Sequence, residues 1–174
     1  MAENPDLSKE NFSSRMLYKT IRSRFPRVNQ LSTNMLENWL QSEKAVLLVD
    51  IREKDEQSVS SLTNAIQITP ADGADHVLSC MEGKEVSKVV AFCSMGYRSC
   101  EFIKKLYKAL RDENKLEGVH LYNLEGGLFK WANEDKKIVD TLGQSTNFVH
   151  PYNAVWGKFL NPEKRKCPEQ VAQL

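Results

Sequence analysis

Cys93-Ser94-Met95-Gly96-Tyr97-Arg98 is the stretch of this chain best suited to covalent chemistry. It follows the apolar run Val89-Val90-Ala91-Phe92 and precedes a helical pattern, Ser99 to Arg111. A cysteine there sits among the unpaired N–H groups of a helix N-terminus, which together with the helix dipole favour negative charge. Arg98 adds a fixed positive charge. Such surroundings suit a thiolate, so Cys93 reads as a sulfur nucleophile. Gly96 lets the loop curl because it tolerates positive φ. The N–H groups of Ser94 to Ser99 are then expected to converge on the sulfur. Arg98 is expected to neutralise the loop and to attract an anionic substrate. Tyr97 and Met95 are expected to shape the mouth. A nucleophile that is already ionised needs no general base.

Three further side chains belong to the candidate site. Asp50 and Arg52 end an apolar run, at the edge of a sheet where α/β proteins place their ligands. Asp50 is expected in a structural ion pair, and Arg52 to lend charge to an anionic substrate. Glu125, ahead of Gly126-Gly127, is expected to cap a helix, to accept hydrogen bonds from the loop, or to pair with Arg98. Cys100 reads as a small buried residue on the inner face of the following helix, in preference to a resolving thiol. Among Cys80, Cys93, Cys100, Cys167, His76, His120 and His150 no metal-ligand spacing occurs, and neither a disulfide framework, a metal nor a cofactor is expected.

Positioning these residues requires strands that end together. Ala45 to Val49 and Val86 to Phe92 are continuous apolar runs, as expected for strands covered on both faces. Val28 to Leu31, Ala65 to Ile68 and His120 to Leu124 are shorter candidates. Helical spacing appears in Phe12, Met16, Ile21 and Phe25, and in Met35-Leu36 with Trp39-Leu40 after the N-cap residues Ser32 to Asn34. It recurs in Asp72 to Met81, in Phe102, Ile103, Leu106 and Leu110, and from Gly126 through Trp131. The charged residues Arg52 to Glu56 follow the first of the two apolar runs. Strands alternating with helices indicate an α/β domain with a mostly parallel central sheet and helices on both faces.

The organisation expected is a helical extension over 1–27, the α/β domain over 28–140, and an aromatic-containing extension over 141–174. Phe148, Tyr152, Trp156, Phe159 and Leu160 carry too much apolar surface to leave in water, so a short helix after Pro151 is expected to dock on the domain. Past Pro162, Lys164-Arg165-Lys166 looks like a solvated, frayed end. The 174 residues are 41% hydrophobic with a formal charge of +1, enough for one core and too balanced for a nucleic-acid binder. No run is long enough to span a bilayer and no signal-peptide pattern opens the chain. Glu3, Asp6 and Glu10 disfavour an organellar transit peptide, so a cytoplasmic protein is expected.

Taken together, Leu47-Leu48-Val49-Asp50-Ile51-Arg52-Glu53, Cys93-x-x-Gly96-x-Arg98-Ser99 and Asn123-Leu124-Glu125-Gly126-Gly127 with Trp131 resemble the rhodanese family of single-domain sulfurtransferases. The resemblance covers about residues 28–135. It implies a sulfurtransferase that takes sulfur from thiosulfate or a related donor as a persulfide on Cys93. The sulfur then passes to cyanide, a small thiol or a protein thiol. One departure stands out: the family's Gly-His-Ile-Pro-Gly-Ala turn is here Ser60-Ser61-Leu62-Thr63-Asn64-Ala65. Two alternatives are weighed against this reading. A binding or regulatory module of the same fold needs no turnover. A cysteine-based phosphatase places five residues between Cys and Arg, whereas this loop has four.

Overall fold

The computed structural model describes residues 11–42 and 45–168. The expectation drawn from the acidic residues of Met1 to Glu10 lies outside them. The strands are β1 (Asn29–Leu31), β2 (Val46–Asp50), β3 (Ile66–Gln67), β4 (Lys88–Phe92) and β5 (His120–Leu124). They form one parallel sheet in the order β1-β5-β4-β2-β3. The helices are α1 (Phe12–Arg24), α2 (Thr33–Ser42), α3 (Lys54–Val59), α4 (Asp75–Met81), α5 (Tyr97–Asp112) and α6 (Gly127–Asn133). An antiparallel pair, β6 (Ile138–Val139) and β7 (Ser145–Thr146), opens the C-terminal segment.

The alternation of side chains along the strands divides the core. Val49, Val89, Ala91 and Leu121 pack with Ile21, Val77 and Leu106 of α1, α4 and α5. Leu48, Val90, Phe92 and Leu124 pack with Leu36, Leu128 and Phe129 of α2 and α6. Both faces are therefore covered, which is why β2 and β4 are apolar apart from Asp50 and Lys88 at their ends. Each buried Leu, Ile or Phe contributes about 1.5–3 kcal/mol against the entropy of ordering the chain. β2 and β4 run in register from Val46↔Lys88 to Asp50↔Phe92, so Asp50 and Cys93 leave the sheet at the same edge.

Several local expectations need correction. In α1 the buried face is Ser14, Tyr18 and Ile21, continued by Phe25; Phe12 and Met16 are 70% and 46% exposed. A small serine at the start of the true stripe conceals its period. The charged residues Arg52 to Glu56, given no element above, contain the start of α3, where the Glu53 N–H donates to Glu56 Oε2 at 3.0 Å. The short helix expected after Pro151 forms as a 3-10 turn at Trp156–Phe159. The basic run of the tail is anchored rather than frayed. Lys164 pairs with Asp135 at 2.6 Å, Arg165 donates twice to the Leu160 carbonyl, and Lys166 lies over the Phe148 ring. Long basic side chains cover apolar surface with their stems, a contact that charge counting does not register. Val149 and Leu160 of this segment are fully buried in the same cluster as Phe92.

The departing turn at Ser60 to Ala65 is held by its own residues. Asn64 holds φ +61°, where asparagine is tolerated far better than most side chains. Leu62 is buried, and the Ser61 hydroxyl donates to Asp50 Oδ2 at 2.6 Å. Among the described residues no helix is long and apolar enough to cross a membrane.

Candidate active site

β4 delivers Cys93 to the carboxyl edge of the sheet, and α5 begins four residues later. Gly96 makes the turn at φ +100°, which places its N–H 3.1 Å from Cys93 Sγ as a donor. A Cβ at Gly96 would stand 3.1 Å from Asn123 Nδ2, so glycine serves both the conformation and the space. Ser99 Oγ lies 3.5 Å from the sulfur and 2.5 Å from Asn123 Oδ1. The hydroxyl has one proton, and the shorter contact takes it. Asn123 in turn donates to Gln30 Oε1 at 2.7 Å, so the fully buried polar residue of β5 anchors the first turn of α5 to β1.

The N-terminus of α6 grips the loop from behind. Leu128 and Phe129 donate their N–H groups to the carbonyls of Cys93 and Ser94, at 2.9 and 3.1 Å. Gly127 permits this approach at φ +56°, since a Cβ there would lie 2.3 Å from Cys93 O and 2.6 Å from Ser94 O. Gly127→Ala should therefore push the nucleophile loop off its seat and destabilise the fold by about 2 kcal/mol from backbone conformation alone. Urea unfolding beside the rate of Cys93 modification checks this. Wild-type values for both would mean that α6 yields without disturbing the loop.

Arg98 closes the loop at its other end. Its Nη1 and Nη2 donate to Glu56 Oε2 and Oε1 at 2.7 and 2.8 Å, and Nη2 also approaches Ser94 Oγ at 3.2 Å. The Ser94 hydroxyl donates to Glu56 Oε1 at 2.5 Å. A Tyr152 ring stands against the guanidinium, 4.4 Å from its carbon. Burial alone would raise the Glu56 carboxyl, but the hydrogen bonds and charge of Arg98, with Ser94 and the Glu53 N–H, hold it below the ordinary value. Burial likewise pulls Arg98 down, and Glu56, Cys93 and Tyr152 hold it above its ordinary value.

A folded carboxyl held low contributes stability that is present above its unfolded value and lost as pH falls through the folded one. Thermal unfolding temperature should accordingly drop on acidification below about pH 4.5, the ordinary value for Glu56. In Glu56→Gln that part of the slope should flatten, with lower stability at neutral pH. An acid limb identical to wild type would assign it to other carboxylates.

Arg52 and Glu125 lie elsewhere than the sequence reading placed them, while Asp50 sits in a buried ion pair and Cys100 in the core. Arg52 is fully buried and does not face a substrate. It donates to Asp50 Oδ1 and Oδ2 at 2.9 and 2.7 Å and to the Ser60 carbonyl at 2.5 Å. Glu125 does not meet Arg98; it takes two donors from Arg22 of α1. Arg98 itself is committed to Glu56 and is no free anion receptor. Met95 is buried in the same cluster as Phe92 and Leu128, and Tyr97, 40% exposed, leans edge-on against Phe25 at 5.1 Å. Cys100 is fully buried, and burial pushes its thiol up to about 12, which suits an inert core residue. Glu56, Asn123 and Tyr152 are not among the site residues read from the sequence. Asn123 had a signal, as a polar residue inside an apolar strand, and Glu56 another, as the second acid of a capping pair. Tyr152 had none.

The sequence and the fold are similar to those of known proteins. The family model described as the rhodanese-like domain matches residues 32–134. The protein named "Putative sulfurtransferase YtwF" of Bacillus subtilis (strain 168) is 28% identical over 109 residues, covering 63% of this chain and 95% of its own. Thiosulfate sulfurtransferase from Pseudomonas aeruginosa superposes with a TM-score of 0.53 at 17% identity, over 85% of this chain and 27% of the other. The As-Sb reductase of Leishmania major shares the fold with a TM-score of 0.56 at 13% identity, over 69% and 92% of the two chains. The matched span contains the whole nucleophile loop, its grip by α6 and the strand carrying Asp50. The chain belongs to the rhodanese-like domain family.

Proposed function

We propose that the protein is a sulfurtransferase that carries sulfane sulfur on Cys93. In the first step the thiolate attacks the outer sulfur of thiosulfate, the S–S bond breaks, and sulfite leaves with the bonding pair. Cys93 is left as an anionic persulfide. In the second step cyanide, or the thiolate of a small molecule or protein, attacks that outer sulfur and restores the cysteine. Two half-reactions through a covalent carrier predict ping-pong kinetics.

The observation that carries the reading is the Gly96 N–H directed at Cys93 Sγ within a four-residue turn. A turn of that size accommodates a sulfur and its neighbour rather than a phosphate. The engagement of Arg98 by Glu56 also weighs against a phosphatase, in which the loop arginine must clasp the transferring group. The sulfonate of a donor is received by the helix dipole and loop amides, with Arg98 as background charge.

The test is intact mass without reductant before and after thiosulfate, followed by cyanide. A gain of one sulfur that cyanide removes as thiocyanate supports the reading. A folded protein that gains no sulfur from thiosulfate or from a small-molecule persulfide would favour a binding or regulatory module.

A further inference from the structure

We propose that Tyr152 is a positioning residue for the Cys93 loop, supplied by a segment outside the rhodanese-like domain. The family match ends at residue 134, and Tyr152 lies beyond it. Its ring covers the Arg98 guanidinium at 4.4 Å, a cation–π distance. Arg98 in turn ties the two ends of the loop together, since it and Ser94 share the same Glu56 carboxylate. Four partners therefore act in sequence: ring on guanidinium, guanidinium on carboxylate, carboxylate on the Ser94 hydroxyl. The loop whose ends are tied in this way is the one that aims the Gly96 N–H at the sulfur.

The backbone around Tyr152 is built to hold the ring in place. Tyr152 adopts φ +65°, a conformation that a bulky side chain rarely takes and that persists only when its surroundings enforce it. Its N–H donates to His150 Nδ1 at 2.9 Å. Asn153 donates its N–H to the Pro151 carbonyl and accepts from the N–H groups of Val155 and Trp156. Gly157 packs so closely on Pro151 that an added Cβ would lie 3.1 Å from its carbonyl oxygen. The turn is secured to the body by Asn133, which donates to the Phe159 carbonyl and accepts from the Asn161 N–H. A residue this firmly held, with its ring on the one arginine of the loop, does more than cover surface.

Arg98 is restrained twice, along its edge by Glu56 and across its face by Tyr152. Loss of the second restraint leaves the ion pair formed but free to swing, and the loop ends loosen with it. The effect on geometry stands whatever reaction Cys93 performs; only the effect on rate rests on the sulfur-transfer reading.

The experiment compares Tyr152→Phe, which keeps the ring, with Tyr152→Leu, which keeps apolar bulk without it. Three quantities are read on the full chain: thermal unfolding temperature, hydrogen–deuterium exchange of the peptide spanning 93–99, and the rate of sulfur loading from thiosulfate. The phenylalanine variant should match wild type in all three. The leucine variant should keep its unfolding temperature, exchange faster over 93–99, and load sulfur roughly threefold to thirtyfold more slowly. If leucine also matches wild type in exchange, or if phenylalanine is as impaired as leucine, the ring does not position the loop. If exchange separates the two variants but no form of the protein loads sulfur, the positioning role stands and the sulfurtransferase reading fails.

Discussion

Exchange of Cys93 for serine is expected to abolish sulfur loading outright while leaving the protein folded. The substitution keeps size and shape, and the Gly96 N–H that now meets Sγ at 3.1 Å can donate to an oxygen instead. The neighbouring contacts do not depend on sulfur: the Cys93 carbonyl is held by Leu128 and the Ser94 hydroxyl by Glu56. A serine hydroxyl cannot form a persulfide, and no other cysteine shares the site. Cys100 is buried with its thiol pushed up to about 12, Cys80 lies on α4, and Cys167 is exposed near the end of the described chain. Intact mass after thiosulfate should show one added sulfur on wild type and none on Cys93→Ser, a loss of at least several hundredfold in loading rate. Comparable loading of the serine variant would move the nucleophile to another cysteine and remove the basis of the proposed function. Loss of cooperative unfolding in that variant would mean that the thiol is a structural element of the loop.

The largest effect on stability is expected from Arg52→Met. Asp50 and Arg52 are both fully buried, and the guanidinium makes two hydrogen bonds to the carboxylate beside a third from the Arg52 N–H. Arg52 also satisfies the Ser60 carbonyl, and Asp50 receives the Ser61 hydroxyl. Removing the cation leaves a carboxylate in the interior with two of its donors gone, which costs about 3–5 kcal/mol. Urea unfolding should show it as a lowered midpoint with an unchanged slope. The double variant Asp50→Leu with Arg52→Met should recover much of the loss, because an apolar pair carries no uncompensated charge. A single variant within about 1 kcal/mol of wild type would mean that water reaches the Asp50 carboxylate. Sulfur loading per folded molecule should change far less than stability in the single variant, since Arg52 faces the core rather than Cys93.

The nearest neighbours in sequence were the readable part of this protein. Two continuous apolar runs told of strands covered on both faces, and the residues after the second told of a turn into a helix. Those are local properties: a strand shows its burial in its own side chains, and a tight turn needs its glycine within a few positions. The helix of residues 97–112 declared itself through Phe102, Ile103, Leu106 and Leu110 for the same reason. Where an apolar stripe was broken by a small polar residue, as at Ser14 in α1, the local signal pointed to the wrong face.

Charged side chains were the unreadable part. An arginine can reach any carboxylate within several ångströms, and which one it finds depends on how distant segments are stacked. Arg98 finds Glu56 across 42 positions and Arg22 finds Glu125 across 103. Arg52 looks like a surface cation until β2 and the turn at Ser60 close over it. Tyr152 meets Arg98 only because the C-terminal segment folds back past α6. The order of residues determined that a cysteine would stand at the mouth of a helix on an α/β sheet. The tertiary structure decided which charges surround that cysteine, because ion pairing follows three-dimensional distance, and distance along the chain does not predict it.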